Sequence, residues 1–232
     1  MLILQLKLQY ILDIELLEYL KGFLTEERME RFEKILSERT KHFTVVTEDV
    51  YQIHNTSAVM RSCDAFGIQD LHLVEEKFGK RVDKEIAMGA QKWVTLHRHS
   101  NLEDCVSTLK DKGYQIVATS PHADASYLHD FDYTKKSAIF FGTEKDGLTE
   151  GVLEQADALI KVPMYGFTES LNISVSAAII MQHLVTKLKL SDIDWRISEE
   201  EKQELELQWA KNTIKSHKKI VDRFNENRAL KG

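Results

Sequence analysis

Short apolar runs recur along this chain with helical patterns between them. That alternation constrains the fold more than any other feature of the sequence. Runs at 42–47, 71–75, 93–97, 115–119, 137–141 and 158–162 have the length and residue types of strands. Helical spacing of apolar residues occupies 25–38, 57–66, 101–112, 148–157 and 174–190, with a shorter helical stretch at 84–90. Thr25 and Asn101 stand where N-caps belong, and Gly67 and Gly113 where helices end. Runs such as Gln115-Ile116-Val117-Ala118-Thr119 and Ala138-Ile139-Phe140-Phe141 are apolar throughout, as expected of strands covered on both faces. The expected class is therefore α/β, a mostly parallel sheet with helices on both faces.

Three segments follow from the change in pattern along the chain. Residues 1–42 read as a helical N-terminal extension, 43–190 as the α/β domain, and 191–232 as a charged C-terminal extension. The stretch 199–230 has no Gly or Pro and reads as one long helix or a helix pair. The first 20 residues are rich in Leu and Ile, but Lys7, Asp13, Glu15 and Glu18 interrupt them. A membrane span needs about 18 or more uncharged apolar residues, and the pattern of a secretory signal is also missing. Two cysteines without paired spacing argue against a disulfide framework or a Cys-based zinc site. A reducing, cytoplasmic setting is the expectation.

In open α/β sheets, ligands sit beyond the carboxyl ends of the strands. Three late strands end in unusual segments: Thr119-Ser120-Pro121-His122, Gly142-Thr143-Glu144-Lys145-Asp146-Gly147-Leu148 and Val162-Pro163-Met164-Tyr165-Gly166. Both prolines of the chain and three of its ten glycines fall here. Ordinary loop punctuation explains any one of them, but three at one sheet edge suggest a site. The glycines do not spell a dinucleotide or P-loop cradle, so a nicotinamide dehydrogenase or a P-loop nucleotidase is not expected. After the third segment, Glu169-Ser170-Leu171-Asn172-Ile173-Ser174-Val175-Ser176 leads into the long apolar helix. Ser170 or Asn172 could simply cap that helix. Upstream, Asn55 precedes a helix that carries Arg61 one to two turns in. A surface ion pair would account for Arg61, as would a grip on a phosphate or a hydroxyl. His97-Arg98-His99 has ligand-like spacing but no acid or thiol close by in sequence, so no metal is expected. Cys63 and Cys105 read as buried packing.

Taken together, these motifs resemble the SpoU/TrmH branch of the SPOUT methyltransferases. The first matches Asn55 through Arg61 (N-x₅-R), the second Phe141 through Leu148, and the third Val162 through Val175. The resemblance implies a C-terminal deep trefoil knot, a rare exception to un-knotted topology. It also implies a homodimer whose site draws on both subunits, and S-adenosylmethionine as methyl donor, with S-adenosylhomocysteine as product. Carried over, Thr119, Gly142, Val162, Met164, Leu171 and Asn172 would hold the donor. Arg61, Asn55, Glu144, Ser170 and Asn172 would serve methyl transfer to a ribose 2′-hydroxyl of RNA. The middle stretch and the tail are most similar to members that act on guanosine 18 of the tRNA D-loop. Alternatives within reach are a ribosomal-RNA methyltransferase and an inactive RNA-binding module.

RNA affinity needs positive charge, and the formal charge of the chain is −6. That sum hides an asymmetry, because residues 211–232 carry seven basic and two acidic side chains. Lys211, Lys215, Lys218, Lys219 and Arg223 are the candidate RNA contacts. A solvated helix face is the plainer reading of the same run.

Overall fold

The computed structural model describes residues 2–50, 53–75, 87–120 and 125–230, with side chains from residue 12 onward apart from that of Ile53. The expected short helix at 84–90 and the Pro121-His122 part of the first loop lie largely outside the described residues. The chain divides into two compact units, residues 40–195 and residues 1–39 with 196–232.

Among the described residues, the larger unit is built on a seven-stranded sheet. In chain order the strands are β1 (Phe43–Glu48), β2 (Asp70–Val74), β3 (Thr95–His99), β4 (Gln115–Thr119), β5 (Ser126–Tyr127), β6 (Ser137–Phe141) and β7 (Ala158–Lys161). They lie in the order β3-β2-β1-β6-β4-β7-β5, and the described pairings are parallel. β6 is thus inserted between β1 and β4, so chain order and sheet order part company in the middle of the sheet.

Period-two alternation distributes the apolar runs to two cores. Val45, Leu71, Leu73, Val117, Ile139 and Phe141 face one core together with Val59, Met60 and Cys63 of α3 (Ile53–Phe66). Ala177, Ile180, Met181 and Leu184 of a long helix, Ile173–Lys189, complete that layer. Val46, Val74, Ile116, Ala118, Ala138 and Phe140 face the other core with Cys105, Val106 and Leu109 of α4 (Leu102–Asp111). Val152 of the short helix α5 (Glu150–Leu153) joins them, and the long helix is then α6. Every residue of β1, β2 and β6 is buried, which explains why those strands lack polar alternation. The edge strand β3 is only partly buried. Its His97-Arg98-His99 is polar because an edge exposed to water must resist pairing with another chain.

Two expected boundaries move, and one strand is new. α3 begins at Ile53, so Asn55 sits inside its first turn rather than before it. α5 stops after Leu153, well short of the expected residue 157. Asp157 is pulled onto β4, where its carboxylate accepts from the Ile116 amide at 2.7 Å and its own amide donates to the Ile116 carbonyl at 2.8 Å. β5 was not expected, being a two-residue polar edge piece with no apolar signal.

In the smaller unit, α1 (Leu2–Lys21) and α2 (Glu26–Leu36) accompany α7 (Glu199–Thr213) and α8 (His217–Ala229). The tail is therefore a helix pair. Thr25 caps α2, and Ser198 with Glu201 forms a reciprocal capping box on α7. Leu16, Leu17, Leu20, Leu207 and Ala210 form its core, with Ile214, Ile220, Val221 and Phe224 packed against them. A turn at Ile214–Ser216 lets both tail helices present apolar residues to that core. The same turn interrupts the basic stripe read from helical spacing across Lys211, Lys215, Lys218 and Lys219. Trp209 is buried edge-to-face on Phe32 at 5.5 Å, with the Arg39 guanidinium 5.3 Å from its ring centre. Trp209 and Trp195 are thus packing residues.

Candidate functional site

A cleft of about 470 Å³ opens at the carboxyl ends of β4, β6 and β7. Of the expected donor-binding residues, Thr119, Gly142, Val162, Met164 and Leu171 line it, as do Glu144 and Ser170 of the expected catalytic set. Asn172 and Asn55 adjoin it through hydrogen bonds to Glu144. Arg61 does not line the cleft. It is exposed on α3, six residues beyond Asn55, which on a helix of 3.6 residues per turn places it on a different face.

The loop after β6 is shaped by its glycines. Thr143 and Gly147 bridge each other, the Thr143 amide donating to the Gly147 carbonyl at 2.9 Å and the Gly147 amide to the Thr143 carbonyl at 3.0 Å. Gly147 takes φ +71, a left-handed conformation that suits glycine. A methyl group on Gly142 would fall 2.1 Å from the Gly147 carbonyl oxygen, so the loop can close on itself only over a glycine. The far end is anchored by the buried Glu48, whose carboxylate accepts from the Thr149 amide at 2.8 Å and its hydroxyl at 2.6 Å. Thr119 spends its hydroxyl on the Phe140 carbonyl at 2.8 Å, tying the ends of β4 and β6 together.

Polar chemistry concentrates where the second and third motifs meet α3. Asn55 is buried and donates to Glu144 Oε1 at 3.2 Å. Asn172 donates from Nδ2 to the same carboxylate oxygen and to Asn55 Oδ1. Its Oδ1 accepts from the Ser174 amide at 2.9 Å and the Ser174 hydroxyl at 2.5 Å. Asn172 is therefore the N-cap of α6 and also a hydrogen-bond partner of Glu144 and Asn55. Ser170 lines the cleft and is exposed. The arrangement holds Glu144, exposed to solvent, between two amides, with its other acceptor sites open to a guanidinium or a hydroxyl.

The cleft fits an S-adenosylmethionine-sized molecule. Its volume lies within the roughly 300–1,000 Å³ usual for such sites. Phe141, Ile160, Ile173 and Ile180 supply apolar walls, and the charged lining is mixed, with Glu144, Asp146 and Glu169 beside Lys145 and Lys161. Ser120 and Ser176 fall in segments the sequence singles out, whereas Ile180 was not expected there. Ile173, Ser176 and Ile180 follow helical spacing on the first turns of α6, a signal the sequence did contain.

The family description of the SpoU rRNA methylases matches residues 42–182, which take in the whole cleft and α3. The chain belongs to the SpoU methylase family. Among SpoU relatives, the tRNA (guanosine(18)-2′-O)-methyltransferase of Borreliella burgdorferi is 39% identical over 206 residues, covering 89% of this chain and 94% of that one. A solved SpoU structure, the TrmH/SpoU tRNA-modifying enzyme of A. aeolicus, superposes with a TM-score of 0.75 at 32% identity. It covers 82% of this chain and 98% of its own. An S-adenosylmethionine-bound rRNA methyltransferase from Sinorhizobium meliloti superposes with a TM-score of 0.58 at 25% identity, over 65% of this chain and 58% of its own.

Proposed function

We propose that this protein transfers the methyl group of S-adenosylmethionine to the ribose 2′-oxygen of guanosine 18 in the D-loop of tRNA. The observation that carries this reading is the 39% identity, over 89% of the chain, to a guanosine-18 enzyme, combined with the Asn55–Glu144–Asn172 cluster at the mouth of the cleft. The sulfonium donor supplies an already activated methyl, so the step needs no metal. The ribose oxygen gains the methyl, the sulfur–carbon bond breaks, S-adenosylhomocysteine leaves, and the hydroxyl proton passes to water. A ribose hydroxyl is a poor nucleophile, and the protein must orient it and stabilise its developing negative charge.

The chain's residues take roles on that basis. Thr119, Gly142, Val162, Met164 and Leu171 hold the donor, largely through the loops that carry them. Asn55 and Asn172 fix the Glu144 carboxylate, which orients the substrate or Arg61. A guanidinium is a donor with no acceptor, so Arg61 acts by charge on the 2′-oxygen or an RNA phosphate rather than as a base. Ser170 completes the polar rim.

A deep trefoil knot and a homodimer belong to the same reading. The inserted position of β6 and the convergence of three loops at one sheet edge support the knot. Exposed Val175 and Ile179 on α6, with Tyr165 and Phe167 in the loop before it, support a second copy covering that face. In such a dimer Arg61, away from the cleft of its own chain, would act at the partner's. Among the described residues no helix is long and apolar enough to cross a membrane, and we place the enzyme in the cytoplasm with its tRNA.

Lys215, Lys218, Lys219 and Arg223 are exposed in the tail and Lys211 is half-buried, which suits contact with RNA phosphates. Changing the four exposed residues to Gln should weaken tRNA binding. It should also reduce the slope of log affinity against log salt by about 0.7–0.9 for each phosphate no longer neutralised. Filter binding across a salt series checks this, and an unchanged slope would remove the tail from the interface. Incubating the protein with labelled S-adenosylmethionine and either total tRNA or total ribosomal RNA tests the substrate class. Label is expected in tRNA. Label in ribosomal RNA would favour the activity named in the family description, and label in neither would favour an inactive binding module.

A further inference from the structure

One side-chain cluster in the larger unit lies outside the cleft. β2 and β3 run parallel with His72 opposite His97 and Val74 opposite His99. Even-numbered positions of β2 and odd-numbered positions of β3 therefore share a face, the one covered by α4. His72 Nδ1 and His99 Nε2 approach to 2.9 Å. Cys105, in the first turn of α4, brings its thiol to the same place, and the three potential ligand atoms all lie within 4.8 Å of one another. His97 stacks on His72 with ring centres 4.4 Å apart and bonds to Asp70 Oδ1 at 2.8 Å.

We propose that His72, His99 and Cys105 form a three-ligand zinc site that ties the edge of the sheet to α4. Two imidazoles and one thiolate are donors that zinc favours over hard cations. Zinc–nitrogen bonds of about 2.0–2.1 Å and a zinc–sulfur bond of about 2.3 Å place tetrahedral ligand atoms roughly 3.3–3.6 Å apart. The 2.9 Å approach and the 4.8 Å outer limit bracket that spacing, so small side-chain rotations suffice. His99 is half-buried on the edge strand, which gives a path in and leaves the fourth position to water. Asp104 is engaged elsewhere, bonding through its amide and carboxylate to Asn101, both at 2.8 Å. Burial, and then Glu48, push the Cys105 thiol up to about 12, so binding must drive off that proton, as a divalent ion beside a thiol does. The ion would then carry a residual single positive charge, and the Asp70 carboxylate behind His97 lies on the same strip of sheet to offset it.

The site is separate from methyl transfer, and its test needs no RNA. Tag-free full-length protein, stripped with a chelator, is titrated with zinc against a chromogenic chelator, and with cobalt as a spectroscopic substitute. The expected result is stoichiometric uptake per chain, a sulfur-to-cobalt charge-transfer band and a higher unfolding temperature with zinc. Cys105→Ser should abolish the band and His99→Gln should weaken uptake at least tenfold, while methyl transfer in either folded variant persists. His99→Gln decides the matter if the buried Cys105→Ser does not fold. Failure of the parent protein to take up either metal, or equal uptake by parent and His99→Gln, would overturn the proposal.

Discussion

Gly142→Ala should bind S-adenosylmethionine about 10–100-fold more weakly than the parent protein and lose methyl transfer with it. The added methyl would meet the Gly147 carbonyl oxygen at 2.1 Å, its carbonyl carbon at 2.2 Å and the Leu148 amide nitrogen at 2.3 Å. All three are backbone atoms, so no side-chain rotation relieves the overlap. The loop must open, and the first bonds to break are the two between Thr143 and Gly147. Each backbone bond contributes about 0.5–1.5 kcal/mol net, and tenfold in affinity corresponds to about 1.4 kcal/mol. The loop also carries Glu144 and lines the cleft, so donor binding and the polar cluster suffer together. The far anchor, Glu48 on Thr149, stays in place, which confines the damage to the loop and spares the global fold. Isothermal titration with S-adenosylmethionine, alongside circular dichroism, checks this. An unchanged affinity in a folded variant would show that the loop does not hold the donor.

Arg61→Ala should have the opposite signature. Methyl transfer should fall by about 10²–10³-fold, the usual loss when one stabilising donor at a developing oxyanion is removed. Affinity for S-adenosylmethionine should stay near that of the parent, because Arg61 does not line the cleft. The residue is exposed, so its removal creates no cavity and little change in stability is expected. Single-turnover kinetics at saturating donor, with donor binding measured separately, distinguish this from a folding defect. Full turnover by the variant would remove Arg61 from the reaction. Mixing inactive Arg61→Ala with inactive Asn172→Ala would also report on the dimer. Activity regained in the mixture is expected if each cleft borrows Arg61 from the partner.

Much of this architecture could be read from residues because burial writes itself into local pattern. β1, β2 and β6 are buried on both faces, so each reads as an apolar run, and helices between them leave the parallel sheet as the expected arrangement. The cleft was legible for a different reason: its loops combine glycine, proline and polar residues directly after strands. What escaped depends on contacts between distant residues. The early end of α5 is set by Asp157 bonding to Ile116, forty-one positions away. The pairing of His72 with His99 depends on the register of β2 and β3, and Cys105 reaches them only because α4 lies over that face. His97-Arg98-His99 alone carried neither fact. Asn172 resisted a single reading because one side chain both caps α6 and bonds to Glu144.

The most direct test is to locate the methyl group itself. Unmodified tRNA is incubated with the protein and S-adenosylmethionine, digested with nucleases and mapped by mass spectrometry. The account predicts a single added methyl, on the ribose of guanosine 18, with S-adenosylhomocysteine formed in equal amount. A methyl on a base, on a different ribose, or found only when ribosomal RNA is supplied would contradict it.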